Sequence, residues 1–292
     1  MIGIMGNDFF GKRMAHAINK TMPAVFLYSS LTDTTFKKKI KDVKIIHYLG
    51  SPTVSFRGVL NLIRLKLYGK KIIIHWIGAD AWMAENLLFG KIFTKLFKNQ
   101  ISLHIAIEKE LLKRIEKIGI SAIIHPLPVA SHYQIEPLPS KKQALVYGPD
   151  MNEYYWERFN GELIKKIVKE FSDVHFIIIR NSGKYFDEPN VECHEWVSNM
   201  EEIYKKIIVF IRISTHDGHP GTIREALSMG RHVIYSEESP FCKKATNYDE
   251  LKKALKEILD EPKLNTEGSK FVYEKFSIEN IAAGLVEIYK KI

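Results

Sequence analysis

The stretch His216-Asp217-Gly218-His219-Pro220-Gly221-Thr222-Ile223-Arg224-Glu225-Ala226-Leu227-Ser228-Met229-Gly230 holds the residue types and spacing with the most chemical content in this chain. It follows a β-branched run at 207–213 and opens a helical pattern near Gly221. Gly218 and Gly221, with Pro220 between them, let the backbone come close to a ligand. Amides without helical partners, and the dipole at a helix start, favour a phosphate there. Asp217 stands before the helix and Glu225 about a turn inside it, so the two carboxylates can reach opposite ends of one extended polar ligand. A carboxylate that accepts two hydroxyl hydrogen bonds suits a ribose or a sugar. An ordinary strand–loop–helix, with a solvated Asp and a capping Glu, accounts for the same residues.

The elements that must position this loop alternate short β-branched runs with amphipathic segments, the pattern of α/β architecture with parallel sheets. Strand-like runs fall at 2–5, 24–28, 43–48, Lys71–Trp76, 102–107 and 122–125, with helical stretches at 11–20, 55–68, 81–98 and 109–118. Pro126 and Pro128, then Pro137 and Pro139, mark an interdomain linker. A second series follows, with strands at Gln143–Tyr147, 174–179, 191–193, 207–213 and His232–Tyr235. Its helices fall at 153–171, 199–206, 222–229, 248–259 and 265–275, and a last one closes the chain. The expected fold is α/β, two doubly wound Rossmann-like domains facing a central cleft. The boundaries are 1–137 and 138–277, with a closing helix at 278–292 that packs back on the first domain. Ligands belong at the strand ends.

Composition narrows the classes. Of 292 residues, 46% are apolar and 26% charged, enough to bury a sizeable core. No apolar run approaches the ~18 residues that cross a bilayer, and no secretory leader is visible. Two cysteines, Cys193 and Cys242, cannot build a disulfide framework, so a cytoplasmic location is expected. The net charge of +9 is uneven: residues 1–137 hold 20 Lys and Arg against 9 Asp and Glu, and the remainder holds 23 against 25. A basic first half suits anionic lipid or phosphorylated acceptors; nucleic acid fits the charge but is not expected as a partner.

The stretch from Pro189-Asn190-Val191 through Glu225-Ala226 to Gly230-Arg231-His232-Val233-Ile234 resembles the donor half of GT-B-fold retaining glycosyltransferases of family four, the group 1 glycosyl transferases. Their signature sets two acidic residues with seven residues between them, usually within E-G-x-x-x-x-x-x-E-A, before a small-residue turn and a strand. Here Asp217 stands where Glu is usual, and Gly218, Glu225, Ala226 and Gly230 keep the pattern. Ile74-His75-Trp76-Ile77-Gly78-Ala79-Asp80 is similar to the family's H-x-x-G-x-D segment. Ile123-Ile124-His125-Pro126 resembles its run into the linker, and Phe276-Ser277-Ile278-Glu279-Asn280-Ile281-Ala282 the start of its closing helix. The resemblance implies a metal-independent transfer from a nucleotide-diphosphate sugar to an acceptor hydroxyl, with retention and without a cofactor. It implies that Glu225 holds the ribose and that Asp217 and His75 are catalytic, facing the transferred sugar. The backbone of Gly218, His219, Pro220, Gly221 and Thr222 would contact the donor, and Gly11 would let the first helix approach the diphosphate. Trp76 and Asp80 are candidates for the acceptor side.

The family's Arg and Lys after the first strand of the second domain are missing here. That place reads Tyr147-Gly148-Pro149-Asp150-Met151-Asn152-Glu153, without a cation. A leaving diphosphate needs positive charge, and the candidates to supply it are Lys12, Arg13, Arg180 and Lys184. The alternative is a non-catalytic nucleotide-sugar or glycan-binding protein of the same fold. A sugar-nucleotide epimerase lacks its own signature, and no H-E-x-x-H or G-x-S-x-G pattern points to a zinc site or a hydrolase serine. The segments at 55–68 and 87–98 are amphipathic and basic. Packing on their own sheet is the ordinary fate of such helices, and contact with an anionic membrane surface or a lipid-linked glycan acceptor is the functional alternative.

Overall fold

The computed structural model describes residues 1–28, 34–128, 133–215 and 220–292. The chain divides into two compact units, Met1–Pro128 with Lys275–Ile292, and Val129–Glu274.

Unit 1 contains β1 (Ile2–Gly6), α1 (Asp8–Asn19), β2 (Ala24–Phe26), α2 (Thr34–Asp42), β3 (Ile45–Leu49), α3 (Phe56–Leu67), β4 (Lys71–Trp76), α4 (Ala79–Asn86), α5 (Leu88–Phe97), β5 (Leu103–Ala106), α6 (Lys109–Lys117) and β6 (Ile123–Ile124). A single 3-10 turn, Pro52–Val54, precedes α3. The six strands pair in parallel in the order β2-β1-β3-β4-β5-β6. Strand periodicity sends successive side chains to opposite faces. Thus Ile72, Ile74 and Trp76 of β4 join the core under α3, α4 and α6. Ile73 joins the core on the other face, where Met14 and Ile18 of α1 pack.

Unit 2 contains β7 (Gln143–Tyr147), α7 (Glu153–Arg158), α8 (Gly161–Glu170), β8 (His175–Ile179), β9 (Val191–His194), α9 (Met200–Lys206), β10 (Val209–Arg212), α10 (Gly221–Ser228), β11 (His232–Tyr235), β12 (Lys243–Lys244), α11 (Tyr248–Asp260) and α12 (Thr266–Phe276). Its parallel sheet runs β12-β11-β10-β7-β8-β9. Ala144, Val146, Val209 and Ile211 pack with α8 and α11 on one face. Leu145, Tyr147, Phe210 and Arg212 therefore point to the other. The last helix, α13 (Ile278–Lys290), returns to unit 1, where Ile281, Leu285 and Tyr289 share the core with α1.

The division falls at 128/129 instead of 137/138. Residues 133–137 are held by unit 2: the Tyr133 N–H donates to Ser228 Oγ, and the buried Arg231 donates to the carbonyls of Glu136 and Pro137. Two stretches expected as single helices are each broken in two. Leu87 is extended (φ −92°, ψ 133°) between α4 and α5. Asn160 takes a left-handed conformation between α7 and α8, where a Cβ on the next residue, Gly161, would strike the Trp156 ring.

Candidate functional site

The C-terminal ends of β7, β10 and β11 in unit 2 carry a polar cluster that the surrounding apolar runs do not require. Helix α10 begins at Gly221 behind Pro220, which has no side-chain capping bond, and its first turn contains no carboxylate. Gly221 is exposed, and among the described residues a Cβ there would meet nothing within 4 Å. Thr222 Oγ1 is buried without a hydrogen-bond partner among the described residues. Such a turn presents backbone N–H groups to an anion.

One turn further in, Glu225 is buried, 7% exposed, and accepts a hydrogen bond from the Tyr204 hydroxyl of α9 at 3.2 Å. Burial, then the Glu225 charge, pushes the Tyr204 hydroxyl well above its usual range, while Arg212 pulls it down. Arg212 ends β10 with 6% of its surface exposed. Its guanidinium carbon lies 3.9 Å from the centre of the Tyr147 ring and 5.5 Å from that of Phe159. The register makes this pairing unavoidable. Phe210 opposes Leu145 and Ile211 opposes Val146, so one step on, Arg212 meets Tyr147 at the strand ends.

Two of the four candidate cations reach the same end of the sheet. Arg180 follows β8 with φ +64°, its carbonyl accepts from the Asp150 N–H, and its guanidinium stands 5.4 Å over the Trp196 ring. Lys184 Nζ donates to the Asp150 carbonyl at 2.8 Å. Asp150, buried in the cation-free loop after β7, accepts from the N–H and hydroxyl of Ser182 and so ties the two loops together. Lys12 and Arg13 instead lie on α1 of unit 1. Lys12 pairs with Asp8 at 3.4 Å and sits over Tyr28, and Arg13 lies over Phe9.

Gly11, Trp76, Asp80 and His75 meet a different environment from the one expected. His216, Asp217, Gly218 and His219 lie outside the described residues. A Cβ on Gly11 would come 2.4 Å from the Phe26 ring, so the glycine serves helix–strand packing. Trp76 is fully buried and donates its indole N–H to His104 Nδ1, a core position and not an acceptor surface. Asp80 is also buried and accepts the N–H groups of Ser51, Ile77 and Gly78 at 2.7, 3.1 and 2.9 Å. Burial pushes its carboxyl up and these donors hold it back. Gly78, at φ +122°, supplies the turn that aims the N–H groups at it. This Gly-x-Asp pair clamps the ends of β3 and β4.

His75 has no exposed surface, and both ring nitrogens are engaged. Its Nε2 faces the His125 carbonyl at 2.7 Å, its Nδ1 faces His47 Nε2 at 3.2 Å, and His47 Nδ1 faces the Tyr289 hydroxyl at 2.6 Å. A carbonyl only accepts, which assigns every proton: His75 Nε2–H donates to His125, His47 Nε2–H to His75, and Tyr289 O–H to His47. Burial draws His75 down to about 3 and His47 well below its usual value. The ring holds β3, β4 and α13 together, and no nitrogen is left for a substrate.

Sequence reasoning passed over Arg212 and Tyr204. The signal for Arg212 was present, a lone cation inside the apolar run that leads into the acidic loop. Among the described residues, no group of three or more His, Cys, Asp or Glu converges as a metal site.

No family model matches the chain, and no curated protein matches it in sequence. Solved structures do. Anabaena HepE in complex with UDP-glucose aligns over all of both chains with a TM-score of 0.71 at 10% identity. The lipopolysaccharide outer core galactosyltransferase WaaB aligns over 100% of this chain and 99% of its own, with a TM-score of 0.68 at 15% identity. Sucrose-phosphate synthase from Thermosynechococcus elongatus covers 100% and 98%, with a TM-score of 0.67 at 11% identity. Likeness at such identities establishes the fold, GT-B with two Rossmann-like units.

Proposed function

We propose that this chain is a glycosyltransferase of the group 1, family-four type that takes its sugar from a nucleotide diphosphate. The observation that carries the reading is the Arg212–Tyr204–Glu225 cluster beside the uncapped start of α10. A buried carboxylate, a buried guanidinium and an uncapped helix turn match the ribose hydroxyls, the diphosphate charge and its oxygens in turn. The solved relatives include one holding UDP-glucose and one called a galactosyltransferase, which supports the same substrate class.

In this reading Glu225 accepts from the ribose hydroxyls and Tyr204 orients it. The Gly221 and Thr222 amides meet the diphosphate. Arg212, with Arg180 and Lys184, supplies the positive charge missing after β7, which lowers the cost of the leaving diphosphate. Asp217 holds the transferred sugar. The bond from the anomeric carbon to the diphosphate breaks, and the acceptor oxygen bonds to that carbon on the same face. The acceptor proton passes to the departing phosphate. Configuration is retained with no metal and no covalent enzyme nucleophile, and the acceptor is a lipid-linked or otherwise anionic glycan at the cytoplasmic side of a membrane. The cation-free loop after β7 favours one second reading, a protein that binds the nucleotide sugar without turning it over.

Incubation with UDP-, GDP- and ADP-sugars, read by release of nucleoside diphosphate and by NMR of the product anomer, tests both. Turnover with retention supports the transferase. Binding without release supports the second reading, and failure to bind any donor overturns both.

A further inference from the structure

Helices α3 and α5 carry apolar side chains that the core of unit 1 does not use. In α3, Val59, Leu62 and Leu65 are buried, whereas Phe56, Leu60, Ile63 and Leu67 are between 39% and 81% exposed. In α5 only Gly90 and Thr94 are buried, and Leu88, Ile92 and Leu96 present one exposed apolar group per turn. The two helices are neighbours. Each makes the crossover to the next parallel strand in the order β3-β4-β5, which puts both on one face of the sheet. Thr53 Oγ1, just before α3, lies 2.7 Å from Thr94 Oγ1 of α5, and Lys66 Nζ reaches the Gln100 carbonyl beyond α5 at 2.7 Å.

The charges on this face are of one sign. Arg57 and Arg64 of α3 and Lys91 and Lys95 of α5 are exposed, and neither helix contains a carboxylate. Between residues 43 and 107 the acidic residues are Asp80 and Glu85. Asp80 is buried in its clamp, and Glu85 pairs with Arg114 at 3.3 Å. None of the four cations forms an ion pair among the described residues.

Exposed apolar groups at helical spacing, interleaved with unpaired cations, ask for a partner that is anionic at its surface and apolar just beneath. We infer that the α3–α5 face docks on an anionic lipid bilayer. The exposed Leu, Ile and Phe side chains enter the boundary between headgroups and acyl chains. Lys and Arg stems run along the apolar stripe to bring their charges to lipid phosphates. A second copy of the same face would bring like cations and no carboxylate, an opposition that weakens association. The inference stands on unit 1 alone and goes beyond the donor chemistry assigned to unit 2.

Sedimentation of the full chain with vesicles of phosphatidylcholine alone, or of phosphatidylcholine with phosphatidylglycerol, tests it. The protein should pellet with the anionic vesicles at least tenfold more strongly, and less as salt rises. Each cation at an anionic surface is worth about fivefold in binding. Arg64→Glu with Lys95→Glu should therefore weaken binding by roughly 25-fold or more. Leu67→Ser with Leu88→Ser, which alter only exposed side chains, should remove the part that survives high salt. Thermal melts of both variants should match the parent, and their UDP titrations should too, which separates this result from the fate of the donor site. Equal binding to both vesicle types, binding to neither, or variants that bind like the parent would overturn it. So would concentration-dependent dimerisation that the same substitutions abolish, with no vesicle binding, because the occupant would then be a second copy.

Discussion

The guanidinium carbon of Arg212 stands 3.9 Å from the centre of the Tyr147 ring, so a cation from the end of β10 covers an aromatic at the end of β7. The neighbouring strand thus brings a positive charge to the place where the loop after β7 has none. Glu225, acting through Tyr204, belongs to the same cluster. On the proposed function, charge and ribose recognition are separable by mutation.

Arg212→Met should weaken nucleoside diphosphate binding far more than nucleoside binding. Hydrogen bonds to charged groups are worth about 1.5–3 kcal/mol, roughly tenfold to a hundredfold in affinity. Arg212→Lys should recover part of the loss, because the charge stays while the planar fork is gone. Calorimetry with UDP and with uridine reads the difference. An equal loss for both ligands would show that Arg212 supports the fold of the site and not the phosphates.

Two glycines should respond in opposite ways. Gly11→Ala places a methyl against the Phe26 ring, an overpacking that costs about 1–3 kcal/mol in unfolding free energy. Its nucleotide affinity should stay unchanged. Gly221→Ala meets no atom of the described residues within 4 Å, so its stability should hold, yet the methyl enters the space at the helix start and should weaken diphosphate binding. Urea midpoints and titrations of the two variants check both halves, and a crossed result would refute the assignment.

The buried histidine chain predicts a pH dependence. His75 sits near 3 when folded against an ordinary value of about 6.5 when unfolded, so the unfolded chain binds the extra proton. Its contribution is fully present above pH 6.5 and is lost as pH falls toward 3. Between pH 6.5 and 5 the loss is roughly 2 kcal/mol from this one group. His75→Gln should start less stable at neutral pH and lose that much less on acidification. Urea unfolding across the range decides it, and parallel curves would remove His75 from the account.

Most of the framework was legible because parallel strands buried on both faces read as β-branched runs, and these set both sheets. What stayed hidden depends on which face a side chain takes and what stands behind it. His75 and Trp76 are adjacent letters, yet strand alternation sends one into the α13 core and the other under α4, and burial removes both from a ligand surface. Asp80 looked like an acceptor group, and its three backbone donors make it a clamp. Helix α2 is short and Lys-rich, and its apolar period rests on Phe36 and Ile40 alone within the helix. Strand β12 is two lysines, set by pairing with β11 and by the Lys243–Glu257 ion pair to α11. The cluster partner Arg212 could be read as a cation but not as a neighbour of Tyr147, since that requires the β10–β7 register. Amphipathic α3 and α5 were legible as helices, and only the structure distinguishes the stripe that packs from the one that faces water.

The most direct test of the central claim is calorimetric titration of the full chain and its Glu225→Gln variant with UDP, GDP and ADP, each against inorganic pyrophosphate. At least one nucleoside diphosphate should bind the parent at one site per chain. Replacing a charged acceptor of the ribose hydroxyls by an amide should weaken that nucleotide roughly tenfold to a hundredfold and leave pyrophosphate unchanged. No binding by any of the three, or identical nucleotide affinity in parent and variant, would contradict a nucleotide-sugar site at Glu225.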